Sequence, residues 1–98
     1  MRAITYSTLG AARDVLTLTD LPDIPPAPGE VTVALAFSGV NPSDVKSRRG
    51  RPGLTKPAFD QIIPHSDGAG TITAVGDGVD SARVGQRVWI WNGQWQRA

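Results

Sequence analysis

A chain of 98 residues allows one domain with one modest core, since folding at this length buries roughly 65% of the unfolded surface. Ten basic and nine acidic residues leave a net charge of +1, without the basic excess expected of a nucleic-acid binder. There is no cysteine, which excludes disulfide stapling, thiolate catalysis and cysteine-ligated zinc, and no apolar run approaches a membrane span. Met1 to Tyr6 lacks the unbroken apolar core of a signal peptide, so the expectation is a cytoplasmic protein with no membrane partner.

Eleven glycines and eight prolines exceed average usage and suggest short strands joined by turns. Residues 1–6 are expected to form a first strand, and Gly10 a turn. Val15-Leu16-Thr17-Leu18-Thr19, rich in β-branched residues, reads as a second strand. Pro22, Pro25, Pro26 and Pro28, closed by Gly29, forbid helix and favour an extended connector. Residues 30–38 alternate cleanly. Val31, Val33, Leu35 and Phe37 share one face, and the small residues Thr32, Ala34, Ala36 and Ser38 share the other, as in a strand with both faces at least partly covered.

Asn41-Pro42-Ser43-Asp44 reads as a helix start. Asn41 suits the N-cap, and Pro42 suits the first turn, where its missing N–H costs nothing. Asp44 can reach back to the cap N–H. Arg48 and Arg49 in the last turn and Gly50 beyond it end a short helix at about 42–49. Residues 50–64 look irregular. Lys46, Arg48, Arg49, Arg51 and Lys56 form a basic run without an acid, which is either a solvated face or a local anion site. Residues 71–75 form another strand, turned by Gly76-Asp77-Gly78. The last strand runs from Val84 to Trp91, with Val84, Val88 and Ile90 on one face and Arg87, Trp89 and Trp91 on the other.

Local chemistry is sparse. His65 and Asp67 alone do not make a zinc site, which needs three or four ligands; they read as a hydrogen-bonded loop pair. Gly68-Ala69-Gly70 and Gly76-Asp77-Gly78 are Gly-x-Gly, but Thr73 and Ser81 stand where a dinucleotide fingerprint needs its third glycine, and neither opens a helix. Such glycines serve corners and close backbone approach. No Gly-x-Ser-x-Gly nucleophile elbow is present.

Three segments in order resemble the medium-chain dehydrogenase/reductase superfamily, specifically the N-terminal GroES-like (alcohol dehydrogenase-like) domain of its zinc-free quinone oxidoreductase (zeta-crystallin-like) branch. They are Ser38-Gly39-Val40-Asn41-Pro42-Ser43-Asp44, then Ile63-Pro64-His65-Ser66-Asp67-Gly68-Ala69-Gly70, then Val75-Gly76-Asp77-Gly78-Val79 followed by Val84-Gly85-Gln86-Arg87-Val88. Gln86 stands where that pattern usually has aspartate. The resemblance covers essentially the whole chain. It implies a mainly β fold over residues 1–98, a partly open GroES-like β-barrel with one short helix. The zinc-bearing branch has cysteine where Asn41 stands and a Gly-His-Glu ahead of its Gly-x-Gly. Here His65 is one place out of register and Ser66 replaces the ligand, so no zinc is expected.

By the same resemblance the chain is the substrate-side part of an oxidoreductase. NADPH would bind mainly to a Rossmann domain that these residues do not contain, and hydride would pass to a quinone, enone or similar small carbonyl acceptor. The chain is then expected to be truncated and inactive alone. Asn41 is the implied catalytic residue, a donor to the acceptor oxygen, with a pure capping role as the other reading. Asp44, Lys46, Ser66 and Asp67 complete the implied cleft. Lys46 and Pro52 in place of the aromatic residues common there disfavour a flat quinone, and Lys46 is either solvated surface or a contact for an anionic group. A GroES-like co-chaperonin and a non-catalytic binding domain are the competing functions. The edge over residues 84–95, with Trp89, Trp91 and Trp95, is expected to join copies into a homo-oligomer.

Overall fold

The structure is a computed structural model that describes residues 1–93. Two antiparallel sheets carry it. In the smaller, β1 (Arg2–Thr5) pairs with β2 (Thr17–Asp20) in the register Arg2↔Asp20 to Thr5↔Thr17. In the larger, β3 (Val31–Gly39), β4 (Asp67–Val75) and β5 (Arg87–Ile90) lie in the order β3-β4-β5. Helix α2 (Pro42–Arg49) follows β3, and a single helical turn, α1 (Ala12–Val15), lies between β1 and β2. The mainly β, open architecture with a helix at 42–49 is as expected; among the described residues the sheets do not close into a barrel.

Just beyond β1, Tyr6 and Ile62 of the segment before β4 exchange backbone bonds of 3.0 and 2.9 Å across an isolated bridge. Tyr6, Ile62 and Ile72 are the buried apolar residues, and Thr5 is buried with them, its hydroxyl 2.8 Å from that of Thr19. The proline-rich connector is tied down rather than free: Gly29 N–H donates to Asp77 and Gly76 N–H to Glu30, both at 2.8 Å.

Three boundaries differ from the sequence reading. The second strand begins at Thr17, because Val15 and Leu16 close a turn on Ala11 and Ala12 instead. The fourth begins at Asp67 rather than residue 71, since Asp67, Gly68, Ala69 and Gly70 pair with β3. The last begins at Arg87. Val84 and Gln86 are held in turns on Ser81 and Arg83, and Gly85 takes a φ of +91°. Within β5 the expected alternation holds: Val88 and Ile90 are half-buried, Arg87 and Trp89 exposed. The part of the 84–95 edge that includes Trp95 lies outside the described residues.

Coverage of both faces of β3 does not extend along the strand. Val31 to Val33 are half-buried, whereas Ala34 to Ser38 are exposed. Two bulges intervene. Thr73 is the extra residue between the Thr32↔Ala74 and Val33↔Ile72 pairs, and Ala36 the extra residue between Leu35↔Gly70 and Phe37↔Ala69. Gly70 sits at the second bulge because a Cβ there would collide with the Ala34 carbonyl.

Candidate functional site

The polar residues of interest collect where β3 ends, β4 begins and α2 starts. The register Gly39↔Asp67 brings the Asp67 backbone beside the strand that delivers Asn41 two residues later. Asn41 is extended at φ −116° and ψ 158°, as an N-cap must be, so its side chain leaves the helix axis. Its Nδ2 donates to Asp67 Oδ2 at 2.6 Å. Its backbone N–H donates to Asp44 Oδ2, also at 2.6 Å, the half of a capping box expected from the sequence.

Facing a carboxylate fixes the Asn41 amide. A carboxylate only accepts, so the nitrogen must point at Asp67 and the carbonyl oxygen away. One of the two Nδ2 protons is spent there. The other has no acceptor among the described residues. Asp44 is 6% exposed; its second oxygen, Oδ1, is buried without a hydrogen-bond partner among them.

Ser66 is half-buried at the same corner, and its carbonyl accepts from Gly93 N–H at 2.7 Å. Asn41, Asp44 and Asp67 are thus brought together, with Ser66 next to Asp67 in the chain. Lys46 is not with them; it lines a separate cavity on another face of α2 with Ser43, Ser47 and Arg51. His65 does not pair with Asp67. Held at a φ of +83°, it places Nδ1 2.6 Å from Ser38 Oγ. Ser38, His65, Asp67 and Gln61 then supply polar groups to a cavity of about 560 Å³ walled by Leu35, Ile62 and Ile63 among other apolar side chains. Sequence reasoning missed Ser38. Its position near the end of a long strand, opposite Gly68, was the available signal.

Among the described residues no three His, Cys, Asp or Glu side chains gather as a metal site. A dinucleotide fits poorly too. Gly68 and Gly70 lie inside β4, paired on one side with Ser38 and Leu35 and on the other with Ile90 and Val88. A strand so paired has no backbone N–H groups to offer a pyrophosphate.

Residues 27–97 match the alcohol dehydrogenase GroES-like domain family. The chain belongs to that family. It is 37% identical over 87 residues to the synaptic vesicle membrane protein VAT-1 homolog of Rattus norvegicus, covering 85% of this chain and 21% of the relative. Among solved structures, it superposes on a mycobacterial quinone oxidoreductase with a TM-score of 0.77 and 33% identity, over 96% of this chain and 29% of the other. A mycobacterial protein complexed with NADPH gives a TM-score of 0.79 at 33% identity, over the same shares. This GroES-like domain therefore falls on the quinone oxidoreductase branch of the medium-chain dehydrogenase/reductase superfamily. It spans about a fifth of that curated relative and under a third of those solved structures.

Proposed function

We propose that this chain is the acceptor-side domain of an NADPH-dependent, zinc-independent oxidoreductase that reduces a quinone, enone or similar carbonyl compound. The cofactor is then held mainly by a Rossmann domain outside these residues, in keeping with the poor fit of Gly68 and Gly70 to a pyrophosphate and with the share of its relatives that the chain spans.

The observation that carries the reading is the Asn41 amide, locked by Asp67 with one N–H left to donate. Reduction of a carbonyl builds negative charge on its oxygen, and a pre-oriented donor stabilises that charge without reorganising. In this reading Asn41 is the catalytic residue. Asp67 is a positioning residue that sets the amide's rotation, and Asp44 is one that holds the first turn of α2 against it. Ser66 completes the wall of the cleft. With one histidine, no cysteine and Ser66 and Asn41 at the positions where zinc-bearing relatives carry ligands, the donor replaces a metal rather than assisting one.

The co-chaperonin alternative needs a free loop within residues 10–30, whereas the connector here is bonded to the Gly76-Asp77 turn.

The test is an NADPH-oxidation assay on the full-length protein containing this chain, with a benzoquinone and an enone as acceptors, before and after dialysis against a chelator. Turnover that survives chelation is expected, and the 98 residues alone should give none, because donor and acceptor are no longer held together. Absence of NADPH oxidation with every acceptor would overturn the reading. Activity lost to the chelator and restored by zinc would overturn its metal-free part.

A further inference from the structure

Helix α2 presents Ser43, Lys46 and Ser47 on one face, at the i, i+3, i+4 spacing of helical neighbours. That face lines a cavity of about 300 Å³, completed by Arg51, Leu54, Pro57 and Ala58 from the following loop. Its buried end is Tyr6 and Ile62, the bridged pair that ties the end of β1 to the segment before β4. Gly50 makes the geometry possible. Its φ of +82° turns the chain sharply after the helix, and a Cβ there would sit 2.9 Å from Leu9 Cδ1. Arg51 is thereby returned to the side of the helix that carries Lys46.

The charge in this cavity is one-sided. No carboxylate lines it. Among the described residues the side chains of Lys46 and Arg51 form no ion pair and donate no hydrogen bond. Arg48 shows the contrast: its Nη1 is committed to the Gly10 carbonyl at 2.6 Å and pins α2 to the loop before α1. Of the basic run, then, one member is structural and two converge unpaired on a hollow with an apolar floor and hydroxyl-bearing sides.

We propose that this cavity binds the oxyanion end, carboxylate or phosphate, of a small amphiphilic molecule. The anion sits between Lys46 and Arg51, the Ser43 and Ser47 hydroxyls donate to it, and the apolar body lies against Tyr6, Ile62, Leu54 and Pro57. Charge-assisted bonds from two cations supply the affinity, and the guanidinium adds a bidentate fit that an ammonium lacks. The site stands whether or not the chain serves a reductase, because none of its residues belongs to the Asn41 corner.

The experiment is calorimetric titration, without NADPH, with 2-naphthoate, 2-naphthyl phosphate and methyl 2-naphthoate as probes. At least one anion should bind roughly tenfold or more tightly than the neutral ester, and its advantage should shrink with added salt. The tighter of the two anions identifies the source. Lys46→Gln with Arg51→Gln should abolish the preference. Both side chains are exposed and unpaired, so the unfolding midpoint should stay near that of the parent; either single substitution reads the same loss in part. Backbone amide shifts on anion addition should centre on Ser43, Ser47 and Ile62. Equal affinity for anions and ester, a preference that survives the double substitution, or shifts centred elsewhere would each overturn the site.

Discussion

The β3-β4-β5 sheet offers a comparison between its polar corner and its aromatic face. At the corner, Asn41, Asp44 and Asp67 are at least half-buried, joined by two bonds of 2.6 Å, and need nothing outside the chain to hold their arrangement. On the same sheet, Phe37, Trp89 and Trp91 are 76%, 75% and 77% exposed around an open hollow. The difference teaches what each region is suited to. A polar cluster held by its own bonds is what a preorganised donor needs, whereas large apolar side chains left in water are what an interface between copies would cover. β5 adds to this, because no strand among the described residues pairs with its outer side.

The sharpest test of the corner is to exchange its two partners. Asn41→Asp alone sets two carboxylates against each other where a 2.6 Å bond now stands, and should destabilise the fold by about 1–3 kcal/mol. Adding Asp67→Asn restores an amide facing a carboxylate, so stability should return. Activity of the full-length protein should not, because the amide is now on the wrong residue. Turnover should stay down by about 100-fold, the low end for losing one oxyanion donor. Chemical denaturation and steady-state kinetics on the parent, single and double variants separate the two effects. An exchanged variant with full activity would reduce Asn41 to a helix cap.

The aromatic face is expected to join copies of this chain, and the next largest effect lies there. Trp89→Lys on the exposed side of β5 introduces charge where an unpaired edge would recruit a partner. It should weaken self-association by about tenfold or more, read by sedimentation, and leave the Asn41–Asp67 bond untouched. A parent chain that sediments as a monomer would break the comparison, since the face would then be tolerated in water as it stands.

Helix α2 was legible because its signals are local. Asn41-Pro42-Ser43-Asp44 starts it and Gly50 stops it, and the bond from Asn41 N–H to Asp44 needs no information from elsewhere in the chain. The Val88 and Ile90 face of β5 was legible for the same reason. The bond from Asn41 to Asp67 spans 26 residues and depends on a register set by two bulges, one on each strand, which a period-two reading cannot count. The same register is why Asn41→Asp, harmless at a cap, meets a carboxylate here. His65 illustrates a second limit: its positive φ turns the ring to Ser38 rather than to its sequence neighbour Asp67. Coverage of β3 stops after Val33 for a third reason. Apolar alternation states what a strand should bury, and among the described residues Leu35 is only about half covered and Phe37 less.

The smallest effect concerns the one atom at the corner that is not satisfied. Asp44 Oδ2 takes the Asn41 N–H, while Oδ1 is buried without a partner. Asp44→Asn keeps an acceptor for the cap, but converts a charge-assisted bond into a neutral one and removes the negative charge beside the helix N-terminus. Against that loss, it also relieves the burial of an anionic oxygen. The two terms oppose, and the bond is the larger because it also closes the helix. The expected net cost is about 1 kcal/mol, or a Tm lower by about 4–8 °C for a chain of this size. Asp44→Ala should cost more, since the Asn41 N–H is then left without its acceptor. An Asp44→Asn variant that melts at or above the parent would mean that the buried oxygen outweighs the cap. The corner would then store strain beside its donor rather than simply hold it in place.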